Sequence, residues 1–176
     1  MGEQGSVSLK QLIRDIPDFP KKGIIFKDIT PLLQNPNGLS EITHRISEHY
    51  NGKNIDLVAG AEARGFIIGA AVAHKLGVGF IPIRKPGKLP YKTASITYQL
   101  EYGTDALEMH KDAVKPGQNI LMVDDLLATG GTMAACCRLV ESMKGNIVGC
   151  AFVIELTFLN GRKALQGFDV FSLIQF

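Results

Sequence analysis

Short apolar segments that alternate with helical segments fill the chain from residue 54 onward. The sequence predicts strands over 55–60, 78–83, 120–123, 147–156 and 170–174, and helices over 66–76 and 132–143. The predicted strands are apolar without strict alternation, which is typical of strands buried on both faces of a sheet. Buried strands connected through helices form parallel sheets with right-handed crossovers. The fold class is therefore α/β, with a central, mostly parallel sheet flanked by helices.

Length and composition limit the other possibilities. The 176 residues predict a single domain over 1–176. With 45% hydrophobic and 20% charged residues, the chain is not a coiled coil, collagen or a disordered protein. A net charge of +2 argues against a protein that mainly coats nucleic acid or membranes. There is no signal-peptide core and no apolar run of the ~20 residues that span a membrane, so we expect a cytoplasmic protein whose three cysteines are free thiols.

The N-terminal segment, residues 1–36, is rich in residues that interrupt regular structure. A short helix is predicted over 8–15, with Ser8 and Gln11 as a capping box. Residues 16–36 contain four prolines and predict an irregular segment with one short strand at 23–26. A second helix is predicted over 39–50.

A second irregular segment, residues 84–104, interrupts the alternation of strands and helices. Segments of this length inside a compact domain usually carry function. Its residues 95–100 alternate well enough for one arm of a hairpin. A helix is expected to begin after Thr104, because Asp105 and Glu108 suit the first turn of a helix.

The most informative segment runs from residue 119 to residue 132. A buried strand ends in Asp124 and Asp125, and the residues that follow open a helix: Ala128, Thr129, Gly130, Gly131 and Thr132. Ligands bind at the carboxyl ends of parallel strands, and the free N–H groups at a helix N-terminus bind anions. Because two carboxylates beside such a loop can accept hydrogen bonds from sugar hydroxyls, the segment predicts a pocket for a ribose 5-phosphate. The alternative is a solvated, glycine-rich turn; the segment is neither a Walker A loop nor a G-x-G-x-x-G motif.

Residues 123–132 resemble the phosphoribosyl pyrophosphate (PRPP) signature of the type I phosphoribosyltransferases. Three further segments are similar to the adenine branch of that family. Residues 61–66 resemble its pyrophosphate loop, residues 84–90 with 100–103 its flexible loop, and residues 18–31 its N-terminal hood. The resemblance covers nearly the whole chain in the same order, and it implies the type I phosphoribosyltransferase fold, with a hood over about residues 1–36 and a flexible loop over 84–104.

The resemblance also implies a role for each site residue. Asp124 and Asp125 would hold the ribose hydroxyls, although Asp124 could instead bond loop amides, and residues 128–132 would bind the 5-phosphate. Glu101 would be the catalytic residue, exchanging a proton with N7 of adenine. The pyrophosphate-binding set would be Arg64, Arg84, Lys85, Lys88 and Tyr102. The adenine-binding set would be Ile25, Phe26 and Leu156. A cis peptide bond is implied between Glu62 and Ala63.

The activity implied by the resemblance is transfer of phosphoribosyl from PRPP to adenine, which yields AMP and pyrophosphate in purine salvage. Mg²⁺ would be held mainly by PRPP and water, with no metal site on the protein. The expected partners are these small molecules and a second copy of the chain in a homodimer, not nucleic acid or a membrane. Two alternatives remain open: a phosphoribosyltransferase for hypoxanthine, guanine or xanthine, and a non-catalytic regulator that senses PRPP.

Overall fold

The computed structural model describes residues 8–99 and 103–176. Its strands and helices, in chain order, are β1 (Arg14–Pro17), β2 (Ile25–Asp28), α1 (Thr30–Gln34), α2 (Pro36–His49), β3 (Leu57–Ala61), α3 (Arg64–Leu76), β4 (Gly79–Ile83), β5 (Thr93–Gln99), β6 (Thr104–His110), β7 (Asn119–Leu127), α4 (Gly131–Ser142), β8 (Asn146–Glu155) and β9 (Val170–Gln175). Short 3₁₀ helices lie at Leu9–Leu12, Thr157–Leu159 and Gly161–Leu165.

A parallel sheet with the strand order β4-β3-β7-β8-β9 forms the centre of the described structure. The chain begins this sheet at β3, adds β4 on one side, and then adds β7 on the other side of β3. The direction in which strands are added therefore reverses between β3 and β7. Ligands of open α/β sheets bind at the carboxyl ends of the strands beside such a reversal. The predicted α/β class with a parallel sheet flanked by helices is confirmed.

Two apolar clusters cover the two faces of this sheet. Met122 belongs to a cluster that includes α4 and the β5–β6 hairpin, whereas Leu121 and Val123 belong to a cluster that includes α2 and α3. Because successive side chains of a strand point to opposite faces, β7 is buried on both sides, as the sequence predicts. The sheet is thus covered on both faces, and the ends of its strands are free to carry a site.

The three cysteines lie in the cluster on the α4 side of the sheet. Cys136, Cys137 and Cys150 are buried and free. The Sγ atoms of Cys137 and Cys150 are 3.6 Å apart. Over the described residues, none of the helices has the length and apolar character needed to cross a membrane.

The start of the chain differs from the sequence prediction. Instead of a helix over 8–15, the structure has a single 3₁₀ turn, and the side chain of Ser8 makes no cap hydrogen bond. The following residues form β1, which pairs in an antiparallel manner with β2 and places Ile16 opposite Phe26. A helix this short is marginal on its own, whereas the strand gains ladder hydrogen bonds from the chain that folds back on it.

The helix predicted after Thr104 is wrong, because this segment is the strand β6. It pairs with β5 in an antiparallel hairpin, with Thr93 opposite His110. Leu107 and Met109 are buried at alternate positions, which is the period of a strand. Asp105 does not cap a helix; its carboxylate accepts a hydrogen bond from the amide of Ala106 at 2.9 Å. The hairpin arm predicted over 95–100 is confirmed for residues 95–99, and Leu100 lies outside the described residues.

Candidate active site

The strand β7 carries both predicted carboxylates and ends at Leu127, beyond the predicted end at Val123. The chain then turns sharply into α4 through the phosphate loop, which we define as residues 128–132. Gly130 has a φ of +83°, a left-handed conformation that favours glycine. The first amides of α4 have no partner within the helix, so the loop presents free N–H groups to an anion.

The phosphate loop forms one wall of a cavity of about 390 Å³. This volume is in the range of small-molecule sites. The opposite wall is the connection between β3 and α3. The lining residues are Glu62, Ala63, Arg64, residues 124–133 and Phe152. The cavity therefore lies at the carboxyl ends of β3 and β7, where the strand order reverses.

The two adjacent aspartates have different surroundings. Asp125 is buried, and its carboxylate accepts a hydrogen bond from Nε of Arg64. The carboxylate of Asp124 accepts a hydrogen bond from the amide of Asp125 at 2.9 Å. Burial, followed by the neighbouring charge of Asp125, raises the pKa of the Asp124 carboxyl well above its usual range. Asp124 thus bonds local backbone as well as lining the cavity.

Gly65 makes room for the carboxylate of Asp124. A Cβ added to Gly65 would lie 2.8 Å from Oδ1 of Asp124 and 3.2 Å from the carbonyl oxygen of Val123. Only glycine lets the first turn of α3 approach the end of β7 this closely. In the sequence, residues 61–66 stand out as a segment, but nothing distinguishes this glycine within it.

The connection between β3 and α3 contains the cis peptide bond expected between Glu62 and Ala63. The carboxylate of Glu62 accepts hydrogen bonds from Nε of Arg84 at 2.8 Å and from the amide of Lys85 at 3.1 Å. Burial on its own would raise the pKa of Glu62, but these hydrogen bonds lower it below its usual value. Glu62 therefore stays ionised and ties this wall of the cavity to the start of the 84–104 segment.

Three of the predicted pyrophosphate-binding cations are paired with carboxylates. The pairs are Arg64 with Asp125, Arg84 with Glu62, and Lys85 with Asp105 at 3.2 Å. The hydrogen bond to Asp105 raises the pKa of Lys85. Lys88 is exposed, and its carbonyl accepts a hydrogen bond from Arg84 at 3.2 Å. Of these four cations, Arg64 is the one that lines the cavity, while the other three stand next to its wall.

The predicted adenine-binding residues reach the site from two elements. Phe26, in β2, has its ring centroid 5.4 Å from the guanidinium carbon of Arg64, so the hood strand stands over the cavity wall. Ile25, the residue before Phe26, is 56% exposed. Leu156 follows the end of β8, and its amide donates a hydrogen bond to the carbonyl of Leu127 at 2.9 Å.

Comparison with known proteins agrees with this geometry. The family model of the phosphoribosyl transferase domain matches residues 28–169. An adenine phosphoribosyltransferase of Trichlorobacter lovleyi is 62% identical over 168 residues, which cover 96% of this chain and 98% of that protein. The chain belongs to the adenine phosphoribosyltransferase family.

Solved structures of this family have the same fold. The adenine phosphoribosyltransferase of Thermoanaerobacter pseudethanolicus superposes with a TM-score of 0.93 at 56% identity, covering 96% of this chain and 98% of that chain. The enzyme from Saccharomyces cerevisiae, complexed with an imino-altritol 1,6-bisphosphate and adenine, has a TM-score of 0.88 at 41% identity. The match to the yeast enzyme covers 94% of this chain and 96% of the yeast chain.

Two predicted site residues of this family member, Glu101 and Tyr102, lie outside the described residues, and their roles stay predictions. The strand that leads toward them does reach the phosphate loop. The hydroxyl groups of Tyr98 and Thr132 are 3.5 Å apart, and burial raises the pKa of Tyr98. Among residues 8–99 and 103–176, no group of three or more His, Cys, Asp or Glu side chains could hold a metal ion.

Proposed function

We propose that this protein transfers phosphoribosyl from PRPP to adenine and releases AMP and pyrophosphate. The observation that carries the proposal is the cavity between β3 and β7, in which a phosphate loop, two aspartates and an arginine meet. The choice of adenine is supported by the relatives, which include a yeast enzyme solved with adenine and a bisphosphate.

Each wall of the cavity binds one part of PRPP in this proposal. The amides and hydroxyls of residues 128–132 hold the 5-phosphate, and the guanidinium of Arg64 holds the pyrophosphate with paired donors. Because Nε of Arg64 donates a hydrogen bond to Asp125, pyrophosphate binding at Arg64 releases this carboxylate. The released carboxylate, together with Asp124, is then available to the ribose hydroxyls. Arg84 and Lys85, which are paired with Glu62 and Asp105, and the exposed Lys88 complete the pyrophosphate-binding set beside this wall.

The chemical step forms a bond between C1 of the ribose and a nitrogen of adenine, while the bond from C1 to pyrophosphate breaks. The ribose develops positive charge in this step, and the aspartates stabilise it. Adenine must lose a proton, and we assign its acceptance at N7 to Glu101. The ring of Phe26 packs on the flat purine, with aliphatic side chains of Ile25 and Leu156 at its edge.

The metal in this proposal is Mg²⁺, which neutralises part of the diphosphate charge when it is bound. The described residues provide pairs of carboxylates rather than a cage of ligands. Mg²⁺ does not need a full set of protein ligands, because it keeps several water ligands and binds to substrate phosphates. We therefore assign its ligands to oxygen atoms of PRPP and to water.

We also propose a homodimer that works in the cytoplasm. The exposed Lys85 and Lys88 stand outside the cavity of their own chain, and in the resembling family a basic residue of this loop reaches the neighbouring subunit. The three free cysteines support a reducing compartment. Sedimentation equilibrium of the purified chain tests the dimer, and a monomer at micromolar concentration would contradict it.

The deciding experiment measures pyrophosphate release with PRPP, Mg²⁺ and each purine base in turn. Adenine should be consumed at the highest kcat/KM, and faster turnover of hypoxanthine, guanine or xanthine would refute the assignment. Binding of PRPP without turnover of any base would instead favour a PRPP-sensing regulator. The variant Glu101→Gln should lose about 10²–10⁴ in kcat and keep its affinity for PRPP. Glu48→Gln, an exposed glutamate on α2, is the matched control.

A further inference from the structure

The 3₁₀ helix Gly161–Leu165, which we call the backing helix, lies directly behind the phosphate loop. A Cβ on Gly161 would collide with the carbonyl oxygen of Ala128 and lie 2.9 Å from Cδ1 of Leu127. A Cβ on Gly130 would overlap the carbonyl oxygen of Gly161 and lie 3.0 Å from Cβ of Ala164. The two backbones touch without a side chain between them, so a shift of the backing helix is passed directly to the loop.

The guanidinium of Arg162 anchors the backing helix to the end of the sheet. Its Nε and Nη2 atoms donate one hydrogen bond each to the two carboxylate oxygens of Glu155, both at 2.7 Å. Its Nη1 atom donates to the carbonyl of Val170 at 3.0 Å. The hydroxyl of Ser172 donates to the same carboxylate. Glu155 stands opposite Leu127 in the β7–β8 register, so this anchor is next to the residue that precedes the loop.

The same ion pair controls the charge behind the phosphate loop. Glu155 is only 4% exposed, and the hydrogen bonds from Arg162 lower its pKa, so it is an ionised group inside the protein. A buried carboxylate that loses its partner is strongly unfavourable, and it would repel a phosphate bound in front of it. Arg162 therefore supplies geometry and charge compensation together.

We propose that Arg162 is a positioning residue for the 5-phosphate of the substrate. Through Glu155 and Val170 it holds the backing helix, and the backing helix holds the phosphate loop in the conformation that binds phosphate. Arg162 does not line the cavity, so it acts through the loop and not on the ligand. This inference rests on the proposed function, because it assumes that the loop binds the 5-phosphate.

The test compares the binding of two ligands that use different walls of the cavity. In calorimetric titrations, Arg162→Met should weaken ribose 5-phosphate binding by about tenfold or more, since displacements of about 1 Å near a site can cost 10²-fold. Pyrophosphate binding, assigned to the Arg64 wall, should change by less than about twofold. In steady-state kinetics, the KM for PRPP should rise while the KM for adenine stays unchanged. Arg45→Met, which removes an exposed arginine paired with Glu41, is the matched control.

A second variant covers the case in which Arg162→Met fails to fold. Arg162→Lys keeps the positive charge but lacks the fixed pair of N–H donors that binds both oxygens of Glu155, so it should show the same selective loss at a smaller magnitude. Unchanged ribose 5-phosphate affinity in a folded variant would overturn the assignment, and so would equal losses for both ligands. If the wild-type protein itself binds no ribose 5-phosphate, the proposed function fails and this assignment with it.

Discussion

Replacing Gly65 by alanine tests the packing that places Asp124 at the cavity. The added Cβ would lie 2.8 Å from Oδ1 of Asp124, whereas ordinary contacts begin near 3.4 Å, so one of the two must move by about 0.6 Å. If the move breaks one hydrogen bond between the carboxylate and the ribose, the loss is about 1.5–3 kcal/mol. This loss corresponds to a Kd for PRPP that is roughly 10- to 150-fold higher. Isothermal titration with PRPP and Mg²⁺ measures it directly.

A matched glycine elsewhere in the chain separates this effect from a general loss of stability. In α2, a Cβ on Gly38 would lie 2.8 Å from the carbonyl oxygen of Leu32, away from the cavity. Both alanine variants should lose about 1–3 kcal/mol in the free energy of unfolding, because both overpack the interior. Only Gly65→Ala should lose affinity for PRPP. Wild-type affinity in Gly65→Ala, or an equal loss of affinity in Gly38→Ala, would refute the reasoning.

Three other substitutions, with Asp125→Asn as a control for the first, test separate parts of the site. Asp124→Asn should stabilise the fold at neutral pH, because folding raises the pKa of the Asp124 carboxyl. The wild type therefore loses stability as the pH rises from the pKa of the unfolded state to the pKa of the folded state, whereas the asparagine variant has no carboxyl to ionise. Urea unfolding between about pH 4 and pH 8 should show the difference in the free energy of unfolding between variant and wild type growing with pH. A constant difference would contradict the prediction. The control Asp125→Asn, which removes the partner of Arg64, should show no such gain in stability. Phe26→Leu should raise the KM for adenine by about two- to tenfold with an unchanged KM for PRPP, and parallel changes in both constants would argue against base stacking. Arg84→Met leaves the Glu62 carboxylate unpaired beside the leaving group, so the inhibition constant of pyrophosphate should rise by about tenfold; equal inhibition of both proteins would place Arg84 outside the site.

The parallel sheet could be predicted from the sequence because each of its strands is a mostly apolar segment of the chain. Nearly every residue of β7 up to Val123 is apolar, and such a segment fits a strand that is covered on both faces. The strand β6 could not be predicted in the same way. Asp105 and Glu108 favour the first turn of a helix, but pairing with β5 decides in favour of the strand, and that pairing depends on residues of another segment of the chain.

The part of the candidate site that could be predicted is the part whose residues are adjacent in the sequence. Asp124, Asp125 and the phosphate loop follow one another in the chain, so one segment shows both the acids and the anion-binding turn. The partners of these groups are distant in sequence: Arg64 is 61 positions from Asp125. A sequence shows that Arg162 and Glu155 carry opposite charges, but only the folded chain shows that they bond to each other behind the loop.

The pairing of Arg64, Arg84 and Lys85 with carboxylates has a consequence for the capture of substrate. In these three ion pairs the carboxylates offset the positive charges, so long-range electrostatic attraction of an approaching anion is weak. The association rate of the substrate should therefore depend little on ionic strength. In the proposed function, entry of the substrate is an exchange of anions, in which phosphate oxygens replace Asp125 at the guanidinium of Arg64. A displaced carboxylate needs new donors, and the hydroxyls of a ribose supply them. Inorganic phosphate and pyrophosphate bring no such hydroxyls, so this exchange favours the ribose-bearing substrate over these free anions.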